Sequence, residues 1–218
     1  MNTHGEMNTH GEMNTIIHDA LRRDLDRLEA RLAEPSTDEQ RTALCDHVTW
    51  MLDILHHHHV GEDDGVWPRV LTKRPDLQPL VDEMEAEHGL LAAASTGLRS
   101  AAASYRADGS EQNRQAMAAA VQRMKQATLP HLEHEERETM PLVVATLDDS
   151  DWAYLAKNHF RKGLSFSDTG LYAMWVQDGL DERRQGVLRS NIPGPVLWFL
   201  SRRFGRRYRR TTQLAWGA

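Results

Sequence analysis

Apolar residues in the first two-thirds of the chain recur at alternating steps of three and four. His18, Leu21, Leu25, Leu28 and Leu32 follow that rhythm, and so do Val48, Met51, Leu55, His58 and Glu62. A third stripe joins Leu80, Met84, His88, Leu91 and Leu98. A fourth joins Met117, Val121, Met124, His131, Glu135 and Leu142. Such spacing marks the buried face of an α-helix, and strand-like alternation is absent. The stripes predict helices over about 15–33, 36–63, 76–107 and 110–145. Thr15 suits the first N-cap, and Ser36-Thr37-Asp38-Glu39 opens the second helix with a capping-box pattern. Asp108-Gly109 stops the third. Pro130 leaves the Gln126 carbonyl unpaired, which predicts a kink or a fresh helix start just before His131. Four amphipathic helices with short connections make an antiparallel up-down four-helix bundle over residues 15–147.

The flanks read differently. Residues 1–14 are a tandem MNTHGE repeat of low apolar content, expected to be disordered, with no role for His4 or His10. Residues 148–218 form an extension. Ser150 is placed to cap a helix over 151–161, and 168–177 and 181–189 look helical. Pro193 and Pro195 precede a last helix over 196–213. Four tryptophans in this stretch (Trp152, Trp175, Trp198 and Trp216) predict that it packs on the bundle. The fold class is therefore all-α, a four-helix bundle with additional C-terminal helices.

Composition narrows the setting. With 40% hydrophobic and 27% charged residues among 218, the chain reads as globular. No apolar run approaches a membrane span, and no signal-peptide pattern opens the sequence. The single Cys45 rules out an internal disulfide, suits a small buried position and fits a cytoplasmic setting. The net charge of −6 hides an asymmetry: residues 190–218 hold six arginines and no acid, leaving 20 basic and 32 acidic side chains elsewhere. Nucleic-acid binding by so acidic a body is disfavoured. The basic last helix suits docking on the bundle, its arginines paired with carboxylates. Peripheral contact with an anionic membrane is the less favoured reading.

The chemistry lies in a repeated motif. His58-x-x-x-Glu62-x-x-x-x-x-Pro68 recurs as His131-x-x-x-Glu135-x-x-x-x-x-Pro141. Residues four apart share a helical face, so each copy aims an imidazole and a carboxylate together. His18 and His88 add imidazoles from the other two stripes. Burying four imidazoles and two carboxylates without a countercharge is costly, and metal ions supply it. This donor set suits iron, manganese or zinc. Six ligands on four helices suggest two ions bridged by Glu62 and Glu135, with di-iron the first choice.

These residues resemble the haemerythrin-like, histidine-histidine-glutamate cation-binding family over about 15–145. The resemblance rests on His18-Asp19, HHHHVGEDDGVWP at 56–68, Glu87-His88 and HLEHEERETMP at 131–141. It implies an up-down bundle with a non-haem di-iron centre. His18 and His58 would hold one iron, His88 and His131 the other. Glu62, Glu135 and an oxo or hydroxo group would bridge them. Oxygen-carrying members have a further histidine one turn after the third-helix ligand, where this chain has Ala92. The expected site is thus a four-histidine, two-glutamate variant, with Glu85 or water as a substitute ligand. A register slip would bring His57 or His59 in place of His58. His134, Glu136, Asp63 and Asp64 are candidates to orient ligands, and His47 and His159 read as structural. The implied function is binding of, or reaction with, dioxygen, peroxide (H2O2) or nitric oxide (NO). Alternatives are catalase-like peroxide decomposition, iron sensing or storage, and a metal-stabilised module that binds a partner or membrane.

Overall fold

The computed structural model describes residues 9–217. Long helices α1 (Thr9–Leu32), α2 (Asp38–Gly61), α4 (Gln78–Ala107) and α5 (Glu111–His134) form the bundle, with short α3 (Trp67–Lys73) between α2 and α4. Among the described residues the fold is all-α. Their stripes are buried nearly as the sequence predicts: Leu25, Leu28, Val48, Met51, Met84, Leu98, Met117, Val121 and Met124 are fully enclosed. Capping differs in detail. Thr37, not Ser36, caps α2, and its capping box closes with Gln40. Ser110 caps α5 by accepting from the Asn113 amide. Pro130 lies inside an unbroken α5, so the helix neither ends nor restarts there.

The expected disorder of residues 9–14 is corrected: α1 begins at Thr9, before Thr15, and Gly11 and Asn14 are buried in it. Thr15 is interior, its hydroxyl donating to the Gly11 carbonyl. The remainder of the repeat, with His4, lies outside the described residues. His10 stacks on Trp152, with ring centroids 4.6 Å apart.

Both copies of the motif leave α-geometry at the glutamate. Glu62–Val66 and Glu135–Thr139 are π-helical turns. The amides of Trp67 and Met140 reach back five residues, to the carbonyls of Glu62 and Glu135. Pro68 and Pro141 follow directly, and neither has an N–H for an α-helical bond. A π turn inserts one residue, so the helix beyond it presents a face rotated by about 100°. The larger side chains buried in the next two turns are Val66, Trp67 and Val70 after the first glutamate, and Thr139, Met140 and Val143 after the second. The offsets are identical. Leu142, expected in the core, is only half-buried for this reason. With Val81 and Met84, these arms form a small apolar cluster that closes the bundle at the level of the motifs.

Beyond α6 (Met140–Thr146), the extension comprises α7 (Asp149–Leu155), α8 (Phe166–Gln177), α9 (Glu182–Asn191) and α10 (Gly194–Trp216). Asp148, not Ser150, caps α7. Trp175, Val176, Leu188, Leu200, Phe204 and Ala215 share one apolar core with the bundle. α10 packs along α2 and α8, while α1 touches α8 and α9. Asp24 of α1 is the main polar anchor. It is wholly buried and accepts from His47 Nε2 at 2.6 Å, Trp175 Nε1 at 2.7 Å and Arg23 Nε at 2.9 Å. Cys45 is buried, and burial pushes its thiol up to about 11. No helix of the described chain is long and apolar enough to cross a membrane.

Candidate metal centre

Each bundle helix delivers a side chain to one level between the main core and the small apolar cluster. α1 brings His18, α4 brings His88, and the ends of α2 and α5 bring His58, Glu62, His131 and Glu135. All six are buried. His59 is buried beside them, which the expectation of four histidines did not include. Two groups of donors result: His18, His58 and Glu135, and His59, His88 and His131. Within each group one ligand atom per residue lies within 4.8 Å of the others.

The α2 run explains the extra imidazole. Neighbours on a helix differ by about 100° in direction. His58 and His59 therefore face the two groups, one each, rather than replacing one another. His57 is turned away and bonds the Phe160 carbonyl at 2.9 Å. His56 is exposed. The His59 ring stacks on that of His88, with centroids 4.1 Å apart. Ala92 and Glu85 are both exposed, so Glu85 does not substitute for a histidine at Ala92.

The outer nitrogens of three imidazoles are tied down by carboxylates, which fixes their rings and tautomers. His18 Nδ1 donates to Glu136 at 2.8 Å, and Arg22 holds Glu136 in turn. His88 Nδ1 donates to Asp63 at 2.7 Å, and the Trp67 indole donates to the same oxygen. His131 Nδ1 donates to Glu87 at 2.9 Å, which also receives His134. Asp63 and Glu136 each directly follow a motif glutamate. Each serves a histidine from a helix outside its own motif. Asp64 is exposed and takes no part in the site. Sequence reasoning gave no role to Glu87, or to Asn14, which donates to Glu135 Oε1 at 3.0 Å. The spacing of Asn14 four before His18, on one helical face, was the available signal.

The inward atoms are left over. Nε2 of His18, His58, His59, His88 and His131, with Oε2 of Glu62 and Glu135, are buried without a hydrogen bond. His18 Nε2 lies 3.2 Å from Glu135 Oε2, and His58 Nε2 lies 3.1 Å from Glu62 Oε1, but without hydrogen-bonding geometry. Convergent lone pairs of this kind fit metal coordination.

Proton affinities follow from burial and crowding. Burial, then the neighbouring imidazole of His18, pushes His58 down to about 3. Burial, with His88 and His58, holds His59 well below its ordinary value. Burial also lowers His131. Burial and crowding thus disfavour the charged form of all three rings, and the neutral form is the one that ligates. Burial opposes charge on His18, yet Glu135 and Glu136 hold it up at about 9. Burial and the Glu135 charge raise Glu62 well above the usual carboxylate range, while the surrounding imidazoles lower Glu135 against its own burial.

Residues 15–143 match the family model of the hemerythrin HHE cation-binding domain. The chain belongs to this family. No curated protein and no solved structure matches it. The family is named for cation binding, and here five histidines and Glu135 are gathered in two sets that could hold metal. On one flank the haemerythrin-like site opens into a cavity of about 540 Å³ between α2 and α4. Its lining includes His56, His59, Asp63, His88, Ala92 and Arg99. The small Ala92 side chain helps leave this space beside the second group.

Proposed function

We propose that the protein is a non-haem di-iron haemerythrin that binds or reacts with a small ligand: dioxygen, peroxide or nitric oxide. His18 and His58 would hold one ion and His59, His88 and His131 the other, with Glu62 and Glu135 available to both. The observation that carries this reading is the seven buried donor atoms without hydrogen bonds. Leaving a buried polar atom unsatisfied costs about 1–3 kcal/mol, and a cation would offset that cost where seven such atoms converge. Iron, when bound, would supply Lewis acidity and redox capacity toward the small ligand. The chain's own part is orientation. Asp63, Glu87 and Glu136 hold the outer nitrogens of three imidazoles, so that the inner nitrogens converge. The α2–α4 cavity offers a route for a small molecule to the His59–His88 side. His59 also brings the imidazoles to five, which removes the objection that Ala92 leaves the site one histidine short.

Metal analysis of the purified full chain, with an optical spectrum, tests the reading. Two irons per chain and near-ultraviolet absorption that changes with azide, peroxide or nitric oxide are expected. A colourless iron-loaded protein, or one that holds no more than a trace of metal, would overturn it. Oxygen evolution from peroxide beyond that of free iron would show that the ligand is turned over.

A further inference from the structure

The outward face of α10 serves neither the core nor the metal centre. The helix docks, as its sequence suggested, but not through its arginines. Leu197, Leu200, Phe204, Tyr208 and Ala215 are its buried face. At about 100° per residue, Phe199, Arg202, Arg203, Arg206 and Arg210 point the opposite way, and all five are exposed. Among the described residues the contacts of these arginines are aromatic or absent: Arg202 lies over Trp198 and Arg203 beside Phe204. Arg207 donates to the Ser167 hydroxyl. No carboxylate among the described residues is within ion-pair distance of any of the six arginines. The expected pairing with bundle acids is thus corrected. The apolar stripe spends itself on docking and leaves the guanidinium groups turned outward.

An apolar tip adjoins this charge. Val196 is 46% exposed, Trp198 65%, Phe199 50% and Phe166, from the start of α8, 59%. The rings of Phe166 and Phe199 are 6.3 Å apart. These are four of the eight large apolar side chains exposed among the described residues, so the exposure is concentrated rather than scattered.

We propose that this face is a peripheral docking surface for an anionic lipid bilayer. Trp198, Phe199, Phe166 and Val196 seat at the headgroup level, where aromatic rings are favoured. Arg202, Arg203, Arg206 and Arg210 meet lipid phosphates, which guanidinium groups bind bidentately. Charge complementarity selects the occupant. The rest of the chain holds 20 basic against 32 acidic side chains and is repelled by an anionic surface, whereas the six arginines sit on one helix, free of acids. An apolar tip beside cations suits lipid better than nucleic acid, whose backbone offers nothing to bury it. The contact is peripheral, since no described helix is long and apolar enough to span.

Co-sedimentation of the full-length protein with phosphatidylcholine vesicles, with and without phosphatidylglycerol, tests the proposal. Binding is expected only with phosphatidylglycerol, and it should weaken as salt rises. Trp198 emission should shift to shorter wavelength, a change lost in Trp198→Phe. Joint replacement Arg202→Glu, Arg206→Glu and Arg210→Glu should lower partitioning roughly a hundredfold or more. Trp198→Ser with Phe199→Ser should lower it roughly tenfold or more. Every replaced residue is exposed, so an unchanged thermal midpoint verifies the fold. Equal binding to both vesicles, binding to neither, or full binding by the arginine variant would overturn the proposal. So would self-association or nucleic-acid retention through these residues in place of vesicle binding.

Discussion

Four identical side chains in the run His56–His59 meet four environments. His56 faces the cavity, His57 the Phe160 carbonyl, His58 the group with His18 and Glu135, and His59 the group with His88 and His131. Helical rotation alone separates them. The inner nitrogen of His59 is buried without a hydrogen bond, whereas that of the structural His47 is satisfied by Asp24. That difference sets a prediction. His59→Ala is expected to lower bound metal from two ions to about one per chain, while His56→Ala leaves it unchanged, as read by metal analysis after desalting. Full loading of His59→Ala would remove this residue from the centre.

At the scale of the element, the π turn joins sequence to site. Each motif places its glutamate at the first residue of the turn and its proline just beyond it, so the carboxylate faces the centre while the following arm closes the apolar cluster. The first turn also lies hard against the extension. A Cβ on Gly65 would meet the His159 ring at 2.8 Å and Leu155 at 2.9 Å. Gly65→Ala is therefore expected to cost about 1–3 kcal/mol through overpacking. Gly97, on an exposed stretch of α4, has nothing within 4 Å of such a Cβ. There the same change should stabilise by about 0.5–1 kcal/mol, because alanine is the better helix former. Urea denaturation of both variants checks the opposite signs; equal effects would show that the Gly65 contact is not tight.

At the scale of the molecule, the extension is part of the bundle's core. Asp24 ties α1 to His47 of α2 and Trp175 of α8, with no water-exposed surface of its own. Asp24→Ala strands Arg23 and two buried donors, and should destabilise by about 3 kcal/mol. The pH dependence has a definite sign. Burial would raise the Asp24 carboxyl, but bonds and charge from His47 and Arg23 overcome it and leave it below its ordinary value. A carboxyl lowered on folding stabilises fully above its unfolded value of about 3.9 and loses that contribution as pH falls through the folded value. Unfolding free energies of the parent and Asp24→Ala should therefore differ at neutral pH and converge in acid. A constant difference would mean that charge on Asp24 contributes nothing.

Sequence periodicity alone determined the helices and the all-α class, because the stripe of a bundle helix is a local, repeated signal. The repeated motif likewise announced a cation-binding bundle, since residues four apart share a face wherever the helix lies. Tertiary structure decided what local spacing does not encode. His59 stands at the centre because α4 brings His88 across to stack on it. Asn14 reaches Glu135, and Glu87 reaches His131, only across helix interfaces. The π turns shift the apolar phase by one residue, so Val143 replaces Leu142 in the core. The arginines of α10 face outward because its apolar stripe is consumed in docking, a choice made by packing rather than by the sign of the bundle's charge.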